Sequence, residues 1–178
     1  MKNIILTLLI LTSISAKCQN EYVVDEKLKE TLIEDLIKNS KSGVTIKLDN
    51  GSQTYTAYKI CENQNLEIQK LNKLISNQEL DELFLSKNSA LKCVAFIIFA
   101  NRNNNKEILL KKLNDFFAES YQSILPNCSD MPKSKNIFKF CAGLLTYPNV
   151  FFRPTFNLSD LEKVDLLRNG FKYENKME

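Results

Sequence analysis

SALKCVAFIIFA, at residues 89–100, is apolar at almost every position. A helix that is apolar all round is buried on every side, although Val94–Phe99 would also suit a buried β-strand. Ser89 as a helix cap, the helical patterns on both sides and the length of the run favour the helix. We therefore predict a central helix that the other elements enclose.

Helical periodicity recurs through most of the chain outside this run. Val24, Leu28, Leu32 and Leu36 repeat every four residues, and Asp25 is a suitable N-cap. Further helices are predicted over the ranges 66–75, 78–85 and 107–120, and an apolar helix is predicted over 136–145. These patterns predict a single, mostly α domain built from packed helical hairpins.

The C-terminal part of the chain carries the signals of one more helix, over residues 157–168. Ser159 is the predicted N-cap, and Glu162 three residues later completes a capping box. Gly170 is the predicted stop, because helices often end next to a glycine.

Residues 44–60 fit two different structures. Val44, Ile46 and Leu48 alternate with polar residues, and Asp-Asn-Gly at 49–51 is a strong turn signal, so propensity predicts a β-hairpin. The second arm, Tyr55–Cys61, could equally begin a helix. The sequence leaves this choice open.

Three segments around the central run resemble one repeat of the HEAT family. They read NQELDEL at 77–83, KNSALKCVAFIIFANR at 87–102 and ILLKKLND at 108–115, with Ala95 and Ala100 where small residues allow helices to approach closely. The resemblance covers about 40 residues, and the chain departs from the family in having no obvious second copy at that period. It implies a helical scaffold that binds proteins, with no catalytic residue.

The N-terminal region has the pattern of a secretory signal peptide over residues 1–18. Lys2 precedes an apolar run at 4–14, and Ser15-Ala16 supplies small residues for cleavage. Residues 19–178 would then form an exported domain, periplasmic or secreted. Lipid attachment at Cys18 is the alternative and would bring the protein to a membrane, but Lys17 disfavours it.

The five cysteines suit an oxidising compartment. Cys128 and Cys141 flank a short loop and are the natural candidates for a disulfide. Cys93 lies in the apolar run, where a buried, inert thiol is expected. A zinc site is not expected, because the chain has no histidine and no closely spaced cysteine pair.

Composition excludes several classes of function. The chain has 24 Lys and Arg residues and 21 Asp and Glu residues. Removal of Lys2 and Lys17 with the signal peptide leaves a net charge of 22 − 21 = +1, which does not indicate nucleic-acid binding. Without histidine there is no Ser-His-Asp arrangement, and four glycines cannot form a phosphate-binding loop. We expect no cofactor and no metal.

The functional prediction is therefore an exported helical interaction module that binds an unknown protein partner and is not an enzyme. The alternative is a small exported hydrolase or inhibitor that uses carboxylates or a free cysteine. Its candidate carboxylate pairs are Glu79 with Glu82 and Asp81 with Asp160. Surface carboxylates on helices are the commoner case, so no catalytic residue is assigned.

A segment between two prolines, YPNVFFRPTF at 147–156, concentrates aromatic side chains on a predicted loop. Phe151, Phe152, Arg153 and Phe156 are of the types enriched at binding hot spots, so they are the candidate partner-binding residues. In the other interpretation the phenylalanines close the end of the core and Arg153 points to water. That interpretation is favoured, because an exposed aromatic patch promotes aggregation.

Overall fold

The structure is a computed structural model that describes residues 25–40, 43–48, 51–56, 58–115, 123–126 and 135–174. The predicted signal peptide at 1–18, including Cys18, lies outside these residues, and so does Cys128. Phe116 and Phe117, which the sequence places on a helix, lie outside them as well.

The described residues are mostly helical, which confirms the predicted fold class. In chain order the elements are α1 (25–40), β1 (Gly43–Leu48), β2 (Gly51–Thr56), β3 (Tyr58–Ile60), α2 (Asn65–Leu74), α3 (Asn77–Phe84), α4 (Ser89–Asn103), α5 (Lys106–Asn114), β4 (Ser123–Pro126), β5 (Lys135–Asn136), α6 (Ile137–Thr146) and α7 (Asp160–Glu174).

Helix α4 is the predicted central helix, and the other elements enclose it. Phe96, Ile97 and Ile98 expose 0% of their surface, and α2, α3, α5 and α6 all pack against α4. Its N-cap is Asn88 and not the predicted Ser89, because the Asn88 side chain accepts hydrogen bonds from the first free backbone N–H groups of the helix. The prediction of a buried helix in place of a buried strand is confirmed.

Helix α4 also extends beyond the apolar run at 89–100, into the polar residues that follow it. It ends at Asn103, and Asn104 follows as C-cap in the left-handed conformation, with φ of 39°. Asparagine adopts this conformation more readily than most residues, which makes it a suitable helix terminator.

The described residues of the range 44–60 are strands, which resolves the open choice. Strands β1 and β2 form an antiparallel hairpin in which Gly43 pairs with Thr56 and Leu48 with Gly51, around the predicted turn. The second arm continues as β3 and does not begin a helix. Strand β3 pairs parallel with β4, and β4 pairs antiparallel with β5.

Helix α7 begins as predicted but ends later. The Ser159 backbone N–H donates to Glu162 Oε2 at 2.8 Å, and the Glu162 N–H donates to Ser159 Oγ at 3.3 Å, which confirms the capping box. The predicted stop at Gly170 is wrong, because the helix continues through it to Glu174. An interior glycine costs a helix only about 1 kcal/mol relative to alanine, which flanking helical residues can offset.

Arg102, in the last turn of α4, joins the central helix to the turn between α2 and α3. Its Nε donates to Asn72 Oδ1 at 2.8 Å, and its Nη1 donates to Asn77 Oδ1 at 2.8 Å. Its Nη2 donates to the backbone carbonyls of Asn72 and Ile75, at 2.6 and 2.7 Å. The guanidinium therefore satisfies carbonyls at the C-terminal end of α2, where no intrahelical donor exists.

We expect Arg102→Ala to lower the free energy of unfolding by about 2 kcal/mol, because partly buried acceptors lose a charged donor. Arg102→Lys should recover less than half of this loss, since an ammonium cannot reproduce the planar fork. Urea unfolding followed by circular dichroism measures both values. Arg168→Ala, on the exposed side of α7, is the control and should change stability by less than about 0.5 kcal/mol. An Arg102→Ala loss no larger than the control would contradict this role.

Candidate functional site

The aromatic loop at residues 147–156 connects α6 to α7, and Asn149 organises it. Asn149 Oδ1 accepts hydrogen bonds from the backbone N–H groups of Phe151 and Phe152, both at 3.0 Å. Its Nδ2 donates to the carbonyls of Leu144 and Tyr147, at 3.3 and 2.9 Å. One side chain thus fixes the turn in the way that asparagine typically does in loops.

The loop is also attached to the C-terminal end of α4. Asn101 Nδ2 donates to the Phe151 carbonyl at 3.0 Å, and Asn104 Oδ1 accepts from the Thr155 N–H at 3.2 Å. Both donor and acceptor belong to the polar last turn and cap of the central helix. The loop conformation is therefore held by hydrogen bonds to the end of the central helix.

The four candidate partner-binding residues occupy different environments. Phe152 is 3% exposed and belongs to the core, while Phe151 and Phe156 are half-buried against it. Arg153 is exposed. The interpretation in which the phenylalanines close the end of the core is thus confirmed for Phe152 and fits the placement of the other two.

Tyr147 and Val150 are the apolar side chains that this loop leaves most exposed, at 61% and 48%. Neither is among the candidates predicted from residue type. Tyr147 is the C-cap of α6, and Val150 lies in the turn that Asn149 closes.

A cleft of about 270 Å³ lies next to this loop, between β3, β5 and α6. Its apolar walls come from Ile60, Phe140, Leu144 and Phe151, and its polar boundary from Glu62, Lys135, Lys139, Tyr147 and Asn149. Phe140 and Phe151 meet edge to face, with ring centroids 6.5 Å apart and planes at 64°. The cleft thus offers aromatic surface with charged groups at its edge.

Gly143 lies on the cleft side of α6, and its position explains why the cleft is open there. A Cβ atom built on Gly143 would have no neighbouring atom within 4 Å. Residues 139, 143 and 147 are spaced four apart, so they follow one face of α6 and its end. Any side chain at position 143 would reduce the cleft.

The two cysteines of the described helices form a buried pair between α4 and α6. Cys93 and Cys141 are both free and expose 0% of their surface. Burial raises the pKa of the Cys141 thiol well above its usual range, and its hydrogen bond with Cys93 adds to the shift. Neither thiol is accessible as a nucleophile in the folded protein, because both side chains are fully buried.

The predicted disulfide between Cys128 and Cys141 is wrong, because Cys141 is free. Cys141 is fully buried beside Cys93 of α4, so its side chain lies in the core. Cys61, at the end of β3, is disulfide-bonded. The two remaining cysteines of the chain, Cys18 and Cys128, lie outside the described residues.

We expect Cys93 and Cys141 to resist alkylation by iodoacetamide in the folded protein at pH 8 and to react fully once urea unfolds it. The physical reason is burial, which excludes the reagent and raises the pKa of Cys141. Peptide mass spectrometry quantifies each site separately, with a free cysteine-containing peptide as the control for reagent activity. Rapid alkylation of either residue before unfolding would contradict the buried assignment.

The candidate catalytic carboxylates have structural partners. Glu79 Oε2 accepts from the Ser76 backbone N–H at 2.7 Å, and its other oxygen is paired with Lys29 of α1. The hydrogen bond from Lys29, with those from Ser76, lowers the pKa of Glu79 to about 2. A carboxylate that stays ionised in this way does not serve as a general acid near neutral pH.

The two aspartates of the second candidate pair lie on different helices, Asp81 on α3 and Asp160 on α7. Asp81 lies 3.8 Å from Lys112 of α5, and Asp160 lies 3.6 Å from Lys163 of α7. Neither aspartate lines the cleft. The carboxylates named as candidates therefore stabilise helices or lie at the surface.

The ion pair between Glu79 and Lys29 predicts a pH dependence of stability. Since folding lowers the pKa of Glu79 from 4.5 to about 2, its contribution is complete above pH 4.5 and is lost as the pH falls toward 2. Glu79→Gln keeps a side chain that can complete the capping box, so it should cost about 1 kcal/mol at pH 7 and almost nothing at pH 2.

Urea unfolding of the wild type and of Glu79→Gln at several pH values measures this difference. Glu82→Gln, on the same helix, removes a charge outside the ion pair and serves as the control. A Glu79→Gln cost that stays constant between pH 7 and pH 2 would show that the ion pair does not contribute to stability.

Comparison of the chain with protein-family models, with curated proteins and with solved structures finds no match in any of the three. Within the described ranges, no group of three or more cysteine, aspartate or glutamate side chains could hold a metal ion. The helices of the same ranges include none that is long and apolar enough to span a bilayer.

Proposed function

We propose that the protein is an exported, non-catalytic binding module that recognises a protein partner through the cleft and the 147–156 loop. The observation that carries this proposal is the juxtaposition of an open aromatic cleft with a loop whose conformation is already fixed. Preorganised loops bind more tightly than mobile ones, because less conformational entropy is lost on binding.

The composition of this surface supports the proposal. Tyr147, Val150 and Arg153 are exposed on one short loop, while Phe151 extends the apolar wall of the cleft. Tyrosine and arginine are the side chains most enriched at binding hot spots, where a large contact area combines with a polar end.

The placement of the reactive groups favours binding over the alternative, a hydrolase or inhibitor that uses carboxylates or a free cysteine. Cys93 and Cys141 are buried between helices, and Glu79 is committed to a helix cap and an ion pair. The HEAT-type resemblance of residues 77–115 remains part of the proposal. It is supported by the packing of α4 against both α3 and α5.

Export is the second part of the proposal. The signal-peptide pattern at 1–18 predicts it, and the disulfide-bonded Cys61 supports it, because disulfides persist in oxidising compartments. The mature protein would be periplasmic or secreted, with lipid attachment at Cys18 as the alternative. The intact mass of the protein from its native cells tests this: a chain that still begins at Met1 would contradict export, and an acylated Cys18 would show membrane attachment.

Site-specific photo-crosslinking in the native cells tests the binding surface. A photoreactive residue in place of Tyr147 or Val150 should form a discrete crosslinked product with one protein, and Arg153→Glu should reduce its yield several-fold. The matched control position is Leu85, which is 81% exposed at the end of α3. Products of equal yield from Leu85, or none from positions 147 and 150, would contradict the proposal.

A further inference from the structure

The number of cysteines in the chain limits the choice of a partner for the disulfide-bonded Cys61. The chain has five cysteines, and Cys93 and Cys141 are free. The partner of Cys61 is therefore Cys18 or Cys128. Both of these lie outside the described residues, so the choice between them rests on the described chain that leads to each.

The chain that leads to Cys128 runs beside the chain that leads to Cys61. Strand β3 pairs parallel with β4, and Ile60, the last residue of β3, lies opposite Pro126, the last residue of β4. Because the two strands run in the same direction, both cysteines follow the same end of the pair. Cys61 comes one residue after that end and Cys128 two residues after it.

The spacing of paired strands matches the geometry that a disulfide requires. Cys61 keeps an extended backbone, with φ of −118° and ψ of 150°. Extension of the β3–β4 register by one pair sets residue 127 opposite Cys61, and Cys128 is then one residue out of register. Paired strands lie about 4.8 Å apart and rise about 3.3 Å per residue, so this offset corresponds to about 6 Å between Cα atoms. Disulfides usually join Cα atoms about 4.4 to 6.8 Å apart.

The distance along the chain supports the same choice. Two residues can carry the chain at most about 7 Å from Pro126, so Cys128 stays near the end of β3. No strand pairing in the described part of the chain leads to Cys18. Cys18 also belongs to the predicted signal peptide, where cleavage after it or lipid attachment would remove its thiol.

We propose that Cys61 and Cys128 form a disulfide that fastens the end of β3 to the chain just beyond β4. The bond closes a covalent loop that contains α2, α3, α5 and the central helix α4. Its formation removes one hydrogen from each thiol and passes two electrons to the disulfide of a thiol–disulfide oxidoreductase, which becomes a dithiol. This inference does not depend on the proposed binding surface.

The bond has consequences for the cleft and for the alternative function. Ile60 and Glu62, on either side of Cys61, both line the cleft, so the bond fastens its β3 wall. With Cys61 and Cys128 joined and the two free cysteines buried, every cysteine after residue 18 is accounted for. A hydrolase or inhibitor that uses a free cysteine would then depend on Cys18 alone.

Peptide mapping without reduction identifies the bond directly. The mature protein from its native cells is unfolded in N-ethylmaleimide, which prevents disulfide exchange, and digested with trypsin, which places each cysteine on its own peptide. The peptide 60–70, with Cys61, should be linked to the peptide 113–133, with Cys128, and reduction should separate them. A link from 60–70 to the peptide 18–27, or recovery of 60–70 with maleimide on Cys61, would overturn the proposal.

Cysteine variants test the same bond through stability. Cys128→Ser should lower the melting temperature by at least about 5 °C, because the long loop no longer restricts the unfolded chain. Its addition to Cys61→Ser should lower the melting temperature no further, since the bond is already lost. The control, Cys18→Ser, should stay within about 1 °C of the wild type and keep the 60–70 link. A loss from Cys18→Ser as large as that from Cys128→Ser, or additive losses in the double variant, would contradict the pairing.

Discussion

The structure depends on one constraint, which is the burial of α4 on all sides. A helix of 15 residues whose apolar side chains point in every direction must be covered everywhere, and removal of each large apolar side chain from water contributes about 1.5 to 3 kcal/mol. Phe96, Ile97 and Ile98 show the result, since none retains any exposure. Helices α2, α3 and α5 each provide one apolar face for this purpose, while α6 is itself buried along most of its length.

The last turn of α4 connects this core to the candidate site. Here the sequence changes from apolar to polar, and each polar side chain holds a different neighbouring segment. Arg102 holds the turn between α2 and α3, while Asn101 and Asn104 hold the 147–156 loop. The loop is therefore rigid because it is attached to the most buried element of the protein, and the proposed binding surface derives its preorganisation from that attachment.

Most of the fold could be predicted from local pattern, and most of the site could not. The helices follow from periodicity, and the β1–β2 hairpin from its Asp-Asn-Gly turn. Strands β3, β4 and β5 are only two to four residues long, and β3 is far from the other two in sequence, so no alternation could identify them. The cleft forms where β3, β5 and α6 come together in the folded chain, and it is open there because Gly143 has no side chain.

The burial of Cys141 could have been predicted from its position on α6. The helical spacing that places Ile137 and Leu144 inward also places Cys141 inward, and this is a better guide than its proximity to Cys128 in the chain.

Native-state hydrogen exchange monitored by NMR tests the central position of α4 most directly. The backbone amides of residues 94–99 should exchange only through global unfolding, with protection equal to the full free energy of unfolding. Amides of α7, which packs at the edge of the core through α6, should exchange at lower free energy. Exchange in α4 that is as fast as in α7 would contradict the account, because the enclosed helix would then not be the element on which the fold depends.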